Sequence, residues 1–325
     1  MKAAWIEARG AVRVAEVDPP ELIPGTALVR PLLVGLNETD NIRVYRGSEA
    51  DYPLPAGSSA AEVIGVVEAT AYVGKKALPF AVDEVALVRC STQDGLAEQL
   101  LVPLPQLIHQ TIATAPEQLV LAHQLGEVLM LCERLRDVVG LTVAVLGQGP
   151  AGLIFDRALR RMGARSVVAL DPNPARRQAG RAFGATAACD PEDPDVEAQV
   201  AAFSATGLPD VVVEATGSEA SIGLAVCLVA EHGRLVLCGH PHTPVVRFPY
   251  ATLLQRACSI VIGAHSNYEQ AGYHAYRLAL NAVARDDFEL GSLLTHRLPL
   301  ADVGRAYQLA ETGAEGALKI AIDFR

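Results

Sequence analysis

The stretch "LTVAVLGQGPAGLIFDRALRRMGARSVVALDPN" runs from Leu141 to Asn173. An apolar run ends at Gly147, a glycine turn follows, and an amphipathic segment leads to a second apolar run closed by Asp171. Strand, glycine turn, helix and strand make a β-α-β unit. Each glycine of the turn has its own task. Gly147 lets the chain reverse tightly. Gly149 lets the backbone approach a pyrophosphate, which would sit at the positive helix N-terminus over Pro150 and Ala151. Gly152 permits close packing of helix on strand. Asp171 follows about 20 residues on, where a carboxylate accepts hydrogen bonds from ribose hydroxyls and repels a 2′-phosphate. The pattern predicts a dinucleotide site with NAD rather than NADP. Arg176, with Arg177 beside it, stands close enough in sequence to reach an adenosine phosphate.

The same alternation continues toward the C-terminus. "EAQVAAFSA" reads as helix, "PDVVVEATG" as strand, "EASIGLAVCLVAEHG" as helix and "RLVLCG" as strand, with "CSIVIGAH" a further strand and "EQAGYHAYRLALNAVARDD" a helix. Strands that are apolar throughout imply a parallel sheet covered on both faces. Thr216, Gly217, Gly239 and His240 fall at the carboxyl ends of such strands, where open α/β sheets bind ligands. From Pro116 to Val139 the chain reads as helix in two pieces, broken around Gly126.

The first third has another character. "ALVRPLLVGL", "AAEVIGVVEAT", "DEVALVRC" and "AEQLLVP" are short strands separated by turns rich in Pro and Gly. They predict an all-β module, a closed or nearly closed barrel. The final stretch ends in a helix and an apolar strand and is expected to pack back onto it. The expected domains are residues 1–115 with 286–325, and 116–285.

Composition agrees. A chain of 325 residues, half of them hydrophobic, is long enough for two cores. A net charge of −10, spread along the chain, argues against nucleic acid or an anionic membrane as partner. No apolar run reaches the ~20 residues that span a bilayer. "MKAAWIEARG" lacks an apolar signal core, so a cytoplasmic protein is expected. Six cysteines, Cys90 among them, form no C-x-x-C pair and read as reduced core thiols.

The order of these parts resembles the medium-chain dehydrogenase/reductase superfamily. "GLAEQLLVP", "VVVEATG" and "THRLPLADVGRAYQLAETGAEGALKIAI" are similar to its strands and closing segment. The resemblance implies a GroES-like β-barrel catalytic domain, a Rossmann doubly wound domain, oxidoreductase activity on a small molecule, and a homodimer or homotetramer paired through "CSIVIGAH". In "LLVGLNETDNIRVYRG" it puts Asn37 where zinc members have a ligand cysteine. Thr39 is at the substrate-touching hydroxyl position, Asp40 at the aspartate and Ile42 at the relay histidine. In "AAEVIG" Ala61 replaces a ligand histidine, while Glu62 and Gly65 remain. Glu127 in "QLGEVL" falls near the third ligand. The loop is closer to the zinc-free, quinone oxidoreductase-like branch, and the glycine turn with Asp171 is closer to the polyol branch.

No zinc is therefore expected. A carbonyl would be polarised by hydrogen bonds from Asn37, Thr39 or Tyr45, and Glu62 or Glu127 would act as general base if burial raised its pKa. Asn37 and Asp40 could instead hold the loop, and Glu62 could pair with Arg43 or Arg46. The expected activity is zinc-independent, NAD-linked hydride transfer to or from a small carbonyl, enone, quinone or alcohol. A zinc-dependent polyol dehydrogenase with atypical ligands and a non-catalytic NAD-binding homologue remain as alternatives.

Overall fold

The computed structural model describes residues 1–72, 80–89, 94–205, 207–263 and 271–325. Cys90 and the last two residues of "CSIVIGAH" lie outside them. The chain divides into two compact units, Met1–Gly126 with Tyr268–Arg325, and Glu127–Asn267.

The first unit begins with a hairpin, β1 (Lys2–Ala8) and β2 (Ala11–Glu16), paired antiparallel. Then come β3 (Thr26–Leu36), α1 (Glu38–Tyr45), β4 (Glu62–Thr70), β5 (Val85–Arg89), β6 (Leu100–Pro103) and β7 (Leu107–His109). Strand β3 has β4 along one edge. Along the other it pairs with β6 through Thr26–Val29, and through Leu33–Leu36 with a strand from the far end of the chain. The change of partner flanks Pro31, which has no N–H to give to a ladder. The polar run after β3 reads as a loop in the sequence but opens a helix. Asn37 is extended at the N-cap, and its N–H donates to Asp40 Oδ2 at 2.8 Å.

Helices α2 (Pro116–Leu119) and α3 (Ala122–Arg134) follow. The break lies before Ala122 rather than at Gly126, because Gly126 serves packing: a Cβ there would lie 2.4 Å from the ring of Tyr276. That contact helps place the start of α3 with the first unit, whereas the sequence put the domain change at residue 116.

The second unit alternates β8 (Thr142–Leu146), α4 (Pro150–Arg161), β9 (Ser166–Leu170), α5 (Pro174–Ala182), β10 (Ala187–Cys189), α6 (Val196–Ala201), β11 (Val211–Glu214), α7 (Glu219–Leu228), β12 (Arg234–Leu237), α8 (Tyr250–Arg256) and β13 (Ser259–Ile262). Its six strands are all parallel, in the order β10-β9-β8-β11-β12-β13. This is a doubly wound sheet whose strand order reverses between β8 and β11, the switch point at which such sheets bind ligands. Strands β8 and β9 are buried along their whole length, as two covered faces require. The edge strand β13 is mostly exposed.

The chain then returns to the first unit with α9 (Ala271–Ala284), β14 (Leu294–Pro299), α10 (Val303–Thr312) and β15 (Lys319–Asp323). Strand β15 is the late partner of β3, completing the sheet β14-β15-β3-β4-β5-β7 with β6 attached to β3. Its core gathers Val34, Val63, Val88, Tyr307 and Ile320. Of the described cysteines, Cys132 and Cys189 are buried, and Cys227, Cys238 and Cys258 are half-buried.

Candidate active site

In the first unit three strand ends converge. The register sets Glu62 of β4 opposite Gly35 of β3, and Ile320 of β15 opposite Leu36. Gly35 leaves the gap that this arrangement fills: a Cβ there would lie 2.5 Å from Glu62 Oε2 and 3.1 Å from Lys319 Cε. Lys319 and Glu62 are both 0% exposed. The Lys319 ammonium lies 2.5 Å from Glu62 Oε2 and donates to Asn37 Oδ1 at 2.5 Å. On the other side of the carboxylate, His123 Nδ1 stands 3.2 Å from Glu62 Oε1. The His123 ring leans on Tyr276, with centroids 5.1 Å apart.

Burial opposes ionisation of Glu62, but Lys319 and His123 outweigh it and bring its pKa down to about 2. The sequence reading made Glu62 a general base on the condition that burial raised its pKa, and otherwise a structural ion-pair partner. The shift runs the other way, and a carboxylate of that acidity is a weak base. The expected arginine partners are also replaced: Arg46 pairs with Glu38 and Glu311, and Glu62 has Lys319 and His123.

Asp40 is fully buried one helical turn below Asn37. Besides capping Asn37 N–H, it accepts from Ser59 Oγ at 3.4 Å, and the Tyr307 hydroxyl donates to Ser59 O at 3.2 Å. Burial pushes its carboxyl up to about 6, against the pull of the Asn37 N–H, with the Glu62 charge adding to the rise. Asp40 thus holds the loop. Thr39 is half-buried on the same turn. Tyr45 lies against Gly10 of the β1–β2 turn. Glu127 belongs to the second unit, where burial foremost, and then the Glu127 charge, raise the pKa of Cys238. The first unit therefore assembles Asn37, Thr39, Asp40 and Glu62 with two residues that the motif reading passed over, His123 and Lys319. A signal for Lys319 existed: one cation in the apolar run "ALKIAI" is a buried charge in need of a partner.

In the second unit the glycine turn takes its expected form. Gly147 has φ +91°, and a Cβ on Gly152 would lie 1.8 Å from Gly147 O, so only glycine lets α4 sit this close to β8. An added Cβ on Gly149 would meet nothing within 4 Å, which leaves open space beside the backbone. Gly149 caps α4 without a side-chain bond and Pro150 at the first position has no N–H to give, so the first N–H groups of the helix, at Ala151 and beyond, lack a side-chain cap. Asp171, closing β9, braces the turn: its Oδ2 accepts from Gln148 N and its Oδ1 from Asn173 N, both at 2.8 Å. Each oxygen keeps a second lone pair for a ribose hydroxyl. Arg176 lies in the first turn of α5. The buried Glu214 organises the turn after β11, accepting from Thr216 N at 2.8 Å, Thr216 Oγ1 at 2.6 Å and Gly217 N at 3.1 Å. Backbone packs on backbone here: a Cβ on Gly217 would lie 1.8 Å from His240 O, and one on Gly239 2.0 Å from Gly217 N. Gly147, Thr216, Gly217, Gly239 and His240 therefore meet at the carboxyl edge of the sheet. The open turn, uncapped helix and carboxylate fit a dinucleotide.

Known proteins carry the same organisation. Residues 150–284 match the family described as zinc-binding dehydrogenase. An alcohol dehydrogenase of Cupriavidus necator is 25% identical, over 99% of this chain and 98% of its own length. A D-xylulose reductase of Scheffersomyces stipitis is 30% identical, over 70% of this chain and 61% of its own length. The alcohol dehydrogenase of Thermus sp. ATN1 shares the fold, with a TM-score of 0.85, 24% identity and full coverage of both chains.

The family description implies zinc, and the donor set can be tested for it. Zinc favours Cys and His ligands, with three from the protein in a catalytic site. At the family's ligand positions stand an amide, Asn37, and a methyl, Ala61. The Lys319 ammonium already lies against Asn37 and Glu62, so a dication would have to share their oxygens with a fixed positive charge. Among the described residues no three His, Cys, Asp or Glu side chains converge on one point. This donor set does not fit zinc. The fold, the dinucleotide turn and the full-length matches together assign the chain: it belongs to the medium-chain dehydrogenase/reductase superfamily and is an NAD(P)-dependent dehydrogenase.

Proposed function

We propose that the protein is a zinc-independent, NAD(H)-linked oxidoreductase that interconverts a small carbonyl compound, whether ketone, enone or quinone, with its reduced form. The observation that carries this reading is the Lys319 ammonium bound to Glu62 and to Asn37 Oδ1. Holding the Asn37 oxygen fixes the amide, so its Nδ2 points away as a donor. An oriented amide in a dry site polarises a carbonyl without metal. Thr39 Oγ1 on the same turn supplies a second donor. The bound dinucleotide would supply or accept the hydride. His123 moves the proton to or from the substrate oxygen, and Glu62, ionised at neutral pH, holds the imidazole by Nδ1. Asp171 favours NAD over NADP in the second unit. The names of the relatives, an alcohol dehydrogenase and a D-xylulose reductase, support an alcohol–carbonyl pair.

The decisive experiment combines metal analysis of the purified protein, NADH and NADPH titrations, and a substrate panel of enones, quinones, ketones and polyols. Substoichiometric zinc, tighter NADH binding and turnover that survives chelation are expected. Stoichiometric zinc with chelator-sensitive turnover would hand the site to the polyol-type reading. We further propose a homo-oligomer joined through β13, and a cytoplasmic location. Among the described residues no helix is long and apolar enough to cross a membrane.

A further inference from the structure

Arg177 is the cation whose position bears most on which dinucleotide the second unit accepts. It lies in α5, six residues beyond Asp171. Its Nη1 donates to Asp171 O at 2.7 Å, to Pro172 O at 2.9 Å and to Asp190 Oδ2 at 3.0 Å. The guanidinium is therefore folded back onto the end of β9. Asp190 directly follows β10, whose Cys189 pairs with Leu170. Asp171 and Asp190 thus end adjacent parallel strands, where an open α/β sheet receives the adenosine ribose. One carboxylate, that of Asp190, engages the guanidinium, while the Asp171 carboxylate is turned to Gln148 N and Asn173 N. A ribose 2′-hydroxyl can be accepted at such a place, and a 2′-phosphate is repelled.

We propose that Asp190 is a specificity-determining residue: by holding Arg177 it withholds from NADP a guanidinium suited to a forked contact with a 2′-phosphate. The inference rests on the reading of this unit as an NAD site, and it assigns a share of the selectivity to a residue outside the glycine turn and Asp171. Asp190 Oδ1 also accepts from Glu192 N at 3.0 Å, so Asp190→Asn is the variant that keeps an acceptor for the turn while removing the charge.

The test is fluorescence titration with NADH and NADPH, which needs no substrate. Wild type should bind NADH more tightly. In Asp190→Asn the ratio of the two Kd values should narrow by roughly tenfold through tighter NADPH binding, the size of one charge-assisted hydrogen bond. Adding Arg177→Ala should cancel that gain. An unchanged ratio, equal weakening toward both nucleotides, or a gain that survives Arg177→Ala would overturn the role of Asp190 while leaving the NAD site standing. Wild type that binds neither nucleotide, or prefers NADPH, would remove the NAD reading and this inference together.

Discussion

Lys319 is the residue on which the first unit's buried charges depend. Without it, Glu62 would be an ionised carboxylate at 0% exposure with His123 as its remaining partner. Lys319→Met, similar in length and uncharged, should cost about 3–5 kcal/mol of unfolding free energy, as breaking one side of a buried pair does. Denaturant unfolding near pH 7 measures it, and a loss below about 1 kcal/mol would mean that the pair is solvated and weak. Asp40 and Glu62 respond to pH in opposite senses. The folded pKa of Asp40, about 6, lies above its ordinary 3.8, so its contribution to stability is full below 3.8 and lost as pH rises through 6. For Glu62, about 2 against 4.5, the contribution is present above 4.5 and lost as pH falls through 2. Asp40→Asn should therefore flatten the stability profile between about pH 4 and 6 and stabilise the protein most at the alkaline end. An unaltered profile would show that Asp40 is not strained by its burial.

At the level of elements, the β8-α4-β9 unit depends on one close approach. Gly152→Ala would bring a Cβ to 1.8 Å from Gly147 O and force α4 away from the turn. NADH affinity should fall at least about a hundredfold, more than 2.7 kcal/mol, in a titration; retention within about threefold would mean the turn relaxes freely. This unit was legible in the sequence because its determinants are local: glycine spacing, helix period and a closing carboxylate lie within one stretch of chain. The polar run at Asn37 was half legible. The residues that suggest a loop are those that favour an N-cap, and Asp40 decides for the helix by bonding Asn37 N–H. The Glu62–Lys319–His123 cluster was illegible as a motif, since it is assembled by strand register. The Lys319–Asn37 bond joins residues 282 positions apart. The condition set for Glu62 as a base, a pKa raised by burial, is not met for the same reason: the sequence suggests Arg43 or Arg46 as its cationic partner, and register supplies Lys319 instead.

Across the whole molecule, a net charge of −10 keeps copies apart unless a specific surface overrides it. The outer edge of β13, which pairs with β12 on its other side, is the surface proposed for this, with Ile260 43% and Ile262 61% exposed. Ile262→Lys should shift the sedimentation velocity profile toward monomer, and an unshifted oligomer would place the interface elsewhere. The first unit also has a consequence for synthesis, because it is written in two pieces around Glu127–Asn267. During translation the doubly wound sheet has all its strands while β3 still lacks β15 along Leu33–Leu36. The nascent chain therefore passes through a stage with one finished domain and one open, apolar strand edge. At that stage a ribosome-bound chaperone has something to hold, and an arrested chain should resist protease only over its second unit.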